Sequence, residues 1–122
     1  MKTRKDFEKV YERLREIMIP FANDLDLKSD VPGSMYIDTN HIMQNKKPLF
    51  FGAVRINKRY VSYHLMPIYV NPALLKNVSA ELKKRMQGKS CLNFTERDED
   101  LFAELTLLTR AGYEYYRHKG YV

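Results

Sequence analysis

The 122 residues contain no tryptophan and a single cysteine, with five glycines and five prolines. One cysteine excludes an internal disulfide and a thiolate metal cluster, so Cys91 reads as a small buried strand residue. No apolar run approaches the roughly 20 residues that a membrane-spanning helix needs. The opening MKTRKDFEKV turns charged and periodic at once and has no apolar secretory core. These absences make the cytoplasm the default location. No repeat, linker or low-complexity segment interrupts the chain, and its length suits one domain with one core.

What is present is an ordinary soluble composition, 44% hydrophobic and 30% charged, with a formal net charge of +6. The charge invites a nucleic-acid reading, but the basic residues are dispersed. Lys2, Arg4, Lys5, Lys9, Arg13 and Arg15 alternate with Asp6, Glu8, Glu12 and Glu16. Only Lys83, Lys84 and Arg85 with Lys89 are concentrated, and VRINKRYVSY does not match a base-stacking RNP run. The pattern argues against nucleic acid. Lys84, Arg85 and Lys89 remain candidates for an anion site, against a solvated basic rim.

Thr3 with Asp6 resembles a capping box. Phe7, Val10, Tyr11, Leu14, Ile17 and Met18 then keep helical spacing up to Ile19, before Pro20. Leu25 and Leu27 suggest a short strand, Val31-Pro32-Gly33 a turn, and Met35 to Ile37 another strand. Asp38 to Lys47 reads as the longest irregular stretch. Pro67 closes or bends a strand, and Asn71-Pro72 starts a helical turn. Ser79 caps a helix from Ala80 to Gln87, with Gly88 at its C-terminal position. Ser90 to Phe94 is a strand. Thr95 with Asp98 restarts a helix whose stripe is Leu101, Leu105, Leu108, Gly112 and Tyr115. The expected fold is α+β: an antiparallel sheet of about five strands, with the N- and C-terminal helices on one face.

Pro48 to Met66, PLFFGAVRINKRYVSYHLM, reads as a hairpin. With Asn57-Lys58 as a two-residue turn, Val54 lies opposite Val61, Gly52 opposite Tyr63 and Phe50 opposite Leu65 on the core face. The other face then pairs Arg55 with Tyr60, Ala53 with Ser62, Phe51 with His64 and Leu49 with Met66. That second face is too apolar for open solvent and too polar for a dry interior. The candidate ligand-contacting set is therefore Phe51, Tyr60, His64 and Met66, with Tyr36 and His41 from the neighbouring strand and loop. His64 is either a hydrogen-bonded histidine beneath a loop or a ligand contact. The cover is a loop, a small molecule or a second copy of the chain.

Catalytic motifs are missing. Gly88-Lys89-Ser90 matches the end of a P-loop, but Lys83 stands where the earlier glycine belongs and the strand-helix order is reversed. His41, His64 and His118 are not at zinc spacing, and there is no nucleophile elbow. Glu8, Glu12 and Glu16 form an i, i+4 row that could meet a hard cation, although Lys9 and Arg13 run beside it at pairing distance. Nine tyrosines suit surfaces half buried and half wet.

The run from Tyr60 to Tyr69 (YVSYHLMPIY), followed by Lys83 to Phe94 (KKRMQGKSCLNF), resembles the YdhG-like family of bacterial domains. That family has a hydrophobic strand ending in Pro, a helix, and a Lys-Gly/Ser-Thr/Cys-hydrophobic-x-Phe strand, matched by Lys89, Ser90, Cys91, Leu92 and Phe94. The resemblance covers roughly Phe7 to Tyr116. Pro32 to Tyr36 stands where the family has a Gly-Met-Pro-x-Phe-like segment. Some relatives are labelled iron chaperones on a frataxin-like fold, so the resemblance implies a binding domain that handles iron or another metal. The residue-level alternatives are a small-molecule-binding, sensing or enzymatic domain using the aromatic/histidine face, and a homodimeric interaction module.

Overall fold

The computed structural model describes residues 2–122. Its first helix, α1 (Arg4–Met18), starts where the sequence places it. The Thr3 hydroxyl accepts the Asp6 amide, while the Asp6 carboxylate accepts the Thr3 amide at 2.9 Å. Phe7, Val10, Tyr11, Leu14, Ile17 and Met18 form its buried face. A 3-10 segment at Ile19–Asp24 carries the chain past Pro20.

Six antiparallel strands follow in spatial order β1-β2-β3-β4-β6-β5. They are β1 (Asp26–Val31), β2 (Ser34–Ile42), β3 (Pro48–Ile56), β4 (Val61–Leu65), β5 (Met86–Gln87) and β6 (Cys91–Phe94). The strand beyond the expected five is the two-residue β5. Short helices α2 (Met66–Val70) and α3 (Ala80–Lys83) separate β4 from β5. The chain closes with α4 (Glu99–His118), capped by Asp98 through its acceptance of the Leu101 amide at 3.2 Å.

Helices α1 and α4 lie together on one face of the sheet, as the apolar stripes require. Between them and the strands sit Leu14, Met18, Ile37, Phe51, Val54, Tyr63, Leu65, Phe102 and Leu105, all essentially without solvent contact. The hydroxyl of Thr109 donates to the Leu105 carbonyl (2.8 Å) and lies 2.6 Å from the Tyr63 hydroxyl. The Tyr116 hydroxyl donates to the Phe50 carbonyl at 2.9 Å and ties α4 to β3. Close approach is built in at two glycines. A Cβ on Gly52 would sit 2.6 Å from the Met18 methyl, and one on Gly112 would sit 2.9 Å from Pro67 Cβ.

Four local expectations are corrected. The β3–β4 connection is four residues long, closed by the Asn57 amide donating to the Tyr60 carbonyl (2.8 Å). Ile56 therefore pairs with Val61 and Gly52 with Leu65; this two-residue slip leaves the faces of Val54, Val61 and Tyr63 unchanged. Asp38 to Ile42 belongs to β2 and not to a covering loop. The helix begun at Ser79 ends at Lys83, because the chain returns as β5, and Gly88 (φ +77°) serves the β5–β6 turn. Asp98, not Thr95, starts α4.

The correction with the largest consequence is a bulge in β3. Ile37 pairs with Gly52 but Asp38 pairs with Phe50, so Phe51 is an extra residue in the ladder. A bulge reverses the alternation locally. Phe51 turns into the core against Phe21, Tyr113 and Tyr116, and Phe50 turns outward.

A candidate binding face on the outer side of the sheet

The face away from the helices carries a depression of about 380 Å³, lined by Tyr36, Phe50, Ala53, Arg55, Ser62, His64 and Cys91. Strand alternation delivers them. Tyr36 stands between the core residues Met35 and Ile37, while Ser62 and His64 interleave with Val61, Tyr63 and Leu65. The Tyr36 and Phe50 rings stack with centroids 4.6 Å apart, and His64 meets Phe50 edge-on at 4.8 Å. Arg55 is exposed at the end of the depression near the β3–β4 turn.

His64 is fixed through its Nε2, 2.8 Å from the Ser90 hydroxyl. Burial holds its pKa below the ordinary imidazole value, which favours the neutral ring at pH 7. Cys91 pairs with His64 across β4 and β6. It is half-buried, and burial pushes its thiol up, so the sulfur stays protonated and is a poor nucleophile or metal ligand. Asp38 lies next along the same side of β2, beyond Tyr36. Burial raises its carboxyl, Lys28 opposes that shift, and Asp26 adds to it. The face offers planar surfaces, hydrogen-bonding groups and charge at its ends. Ser90 and His64 stand at the spacing of a hydroxyl and its base, but among the described residues no third group bonds His64 Nδ1 to orient the ring, as the catalytic arrangement requires.

Of the residues singled out in sequence, Tyr36 and His64 come together here. Phe51 does not, because the bulge places it in the core; Phe50 takes its position. Tyr60 lies in the β3–β4 turn, and Met66 opens α2 instead of extending β4. His41 packs against Tyr121 (4.7 Å) at the far end of β2, by a separate depression shared with Asp24 and Asn40. The basic trio is divided. Lys84 and Arg85 border a hollow that also contains Glu81, Asp98 and Asp100. Lys89 lies 6.0 Å above the Tyr69 ring. Glu8 and Glu16 on α1 are ion-paired with Arg4 (3.7 Å) and Arg13 (3.6 Å). Among the described residues, no three acidic, histidine or cysteine side chains converge on a metal position.

Sequence reasoning missed Phe50, Asp38 and Ser90. Period two from Tyr36 would have reached Asp38 had β2 been extended past Ile37. Nothing in the local sequence marks the bulge that exchanges the two phenylalanines.

No helix of the described residues is long and apolar enough to cross a membrane. No family model, curated protein or solved structure matches the chain.

Proposed function

We propose that the protein is a binding module whose outer sheet face takes a small planar aromatic molecule. The observation that carries this reading is the stacked Tyr36–Phe50 pair with His64 at its edge, in a hollow on the side of the sheet opposite the helices. At about 380 Å³ the hollow falls within the range of small-molecule sites, which are mostly apolar with a few placed polar groups. The neutral His64, held by Ser90, supplies one such group, and Ser62 supplies another. Aromatic rings with half their surface wet bind planar molecules at low entropic cost, because few torsions need freezing.

Membership of the YdhG-like family stays a proposal, carried by the runs Tyr60–Tyr69 and Lys83–Phe94, as does a cytoplasmic location. The iron-handling role implied by that resemblance would rest on Glu8, Glu12 and Glu16. Arginines already compensate two of these carboxylates, so the outer face is the better-supported site.

The test is an amide chemical-shift titration with indole as the probe. Shifts should concentrate on β2, β3 and β4 around Tyr36, Phe50 and His64, and Phe50→Ala should remove them. Absence of any shift on these strands, or a stable dimer that covers this face in gel filtration, would overturn the reading.

A further inference from the structure

Asp38 has only 6% of its surface exposed, and no hydrogen bond or ion pair to its carboxylate forms among the described residues; the one fully buried side-chain polar atom there without a partner is Arg85 Nε, so the Asp38 oxygens keep an opening to solvent. Buried carboxylates are ordinarily paired, hydrogen-bonded or metal-bound, since an isolated buried charge is costly. Asp38 pairs with Phe50 on one side and Asp26 on the other, two residues beyond Tyr36. Its carboxylate is near enough to help raise the Tyr36 hydroxyl's pKa, and lies just outside the lining of the depression, at the end of the face opposite Arg55. Arg55 pairs with Ser34, four positions back along β2, which is roughly 13 Å at the usual rise per strand residue.

The other charges near Asp38 do not satisfy it. Lys28 Nζ lies 2.6 Å from Asp26 and forms a closed pair with it. Two carboxylates and one ammonium leave one negative charge over. A metal would need further ligands converging on the same point, and no such group exists among the described residues. An anionic group would be repelled at this end of the face and would be drawn to Arg55 at the other. What fits is a hydrogen-bond donor carrying positive charge, next to an aromatic stack whose open side also attracts cations.

We infer that the outer face takes an aromatic organic cation, with its planar ring against Tyr36 and Phe50 and its protonated amine hydrogen-bonded to Asp38. This rests on the reading of the face as an aromatic-ligand site and adds the charge of the ligand. The stacked rings set the plane of the ligand, and the carboxylate sets its polarity along the strands.

Three probes of one shape and different charge test it: tryptamine, indole and indole-3-propionate, each titrated into the labelled protein at pH 7. Tryptamine should bind about tenfold or more tightly than indole, the scale of a charge-assisted hydrogen bond, and indole-3-propionate should bind less tightly than tryptamine. Asp38→Asn should abolish the advantage of tryptamine over indole; Asp38→Ser serves the same purpose if the asparagine variant folds poorly. Indole binding with no preference for tryptamine, or a preference that survives both substitutions, would overturn the inference while leaving the aromatic site standing. Failure of all three probes to bind the wild-type protein would overturn both.

Discussion

Tyr63 and Thr109 show how hydrogen-bond direction, not distance alone, decides the cost of a substitution. The Thr109 hydroxyl spends its proton on the Leu105 carbonyl, so the Tyr63 hydroxyl must donate to Thr109. Tyr63→Phe removes a donor and leaves Thr109 satisfied; the expected loss is about 0.5–1.5 kcal/mol. Thr109→Val strands the fully buried Tyr63 hydroxyl without an acceptor, and should cost more, about 1–3 kcal/mol. Urea denaturation of the two variants checks the order, and equal losses would refute the assigned direction. Asp38 supplies the matching prediction for charge. Its carboxyl is held above the ordinary value of 3.8, so the folded state binds that proton more tightly than the unfolded state. The associated stability is fully present at acid pH and falls as pH rises from the ordinary carboxyl range through the raised folded value. Asp38→Asn should therefore raise the melting temperature at pH 7 and flatten this part of the pH profile. A lower melting temperature for the variant would mean that the carboxylate is paired after all. Stabilisation together with loss of ligand preference is the pattern expected of a site that trades stability for binding.

Elements whose signals are local were legible in the sequence. The capping box of α1, the stop before Pro20, the stripe of α4 and the strand Cys91–Phe94 all follow from caps and periodicity within a few residues. Pairing between elements was less so. The slip at Asn57–Tyr60 depends on which carbonyl the Asn57 amide reaches, and the β3 bulge depends on how β2 fits against Phe50 and Phe51. The candidate face was thus recognised from alternation, while one of its principal rings was assigned to the wrong side. The bulge makes adjacent phenylalanines opposite in role. Phe51→Ala should cost about 3–5 kcal/mol by opening a core cavity. Phe50→Ala, half-buried on the outer face, should cost about 1 kcal/mol while removing aromatic-ligand binding. Similar losses for both would indicate unbroken alternation. Gly112 makes the same point for α4. Alanine in a free helix is favoured over glycine by about 1 kcal/mol. Here its Cβ would press on the rigid Pro67 ring, so Gly112→Ala should destabilise by about 1–2 kcal/mol.

The whole molecule is a sheet clad by helices on one side, and this asymmetry fixes where it can open and where it can associate. β3 and β4 lie inside the sheet, bonded on both edges and pressed by α1 through Met18 and by α4 through Tyr116 and Thr109. β1 and β5 are the two edges. Exposed edges invite pairing with another chain unless they are short, charged or irregular. β5 has two residues, and β1 carries Asp26, Lys28 and Asp30 with a register break between Leu27 and Ser29. Arg15 also binds Asp30 from α1, its Nε donating at 2.9 Å, and this pairing lowers the Asp30 carboxyl. Both edges are thus blunted against strand addition, while the aromatic outer face is left uncovered by the helices. Amide hydrogen exchange should accordingly be slowest in β3, β4 and the middle of α4, and fastest in β1 and β5, with the ranking unchanged as protein concentration rises. An aromatic ligand on the outer face should add protection to β2, β3 and β4 without slowing β1. Concentration-dependent protection of β1 would instead identify edge-to-edge association, and the outer face would lose its place as the principal contact surface of the molecule.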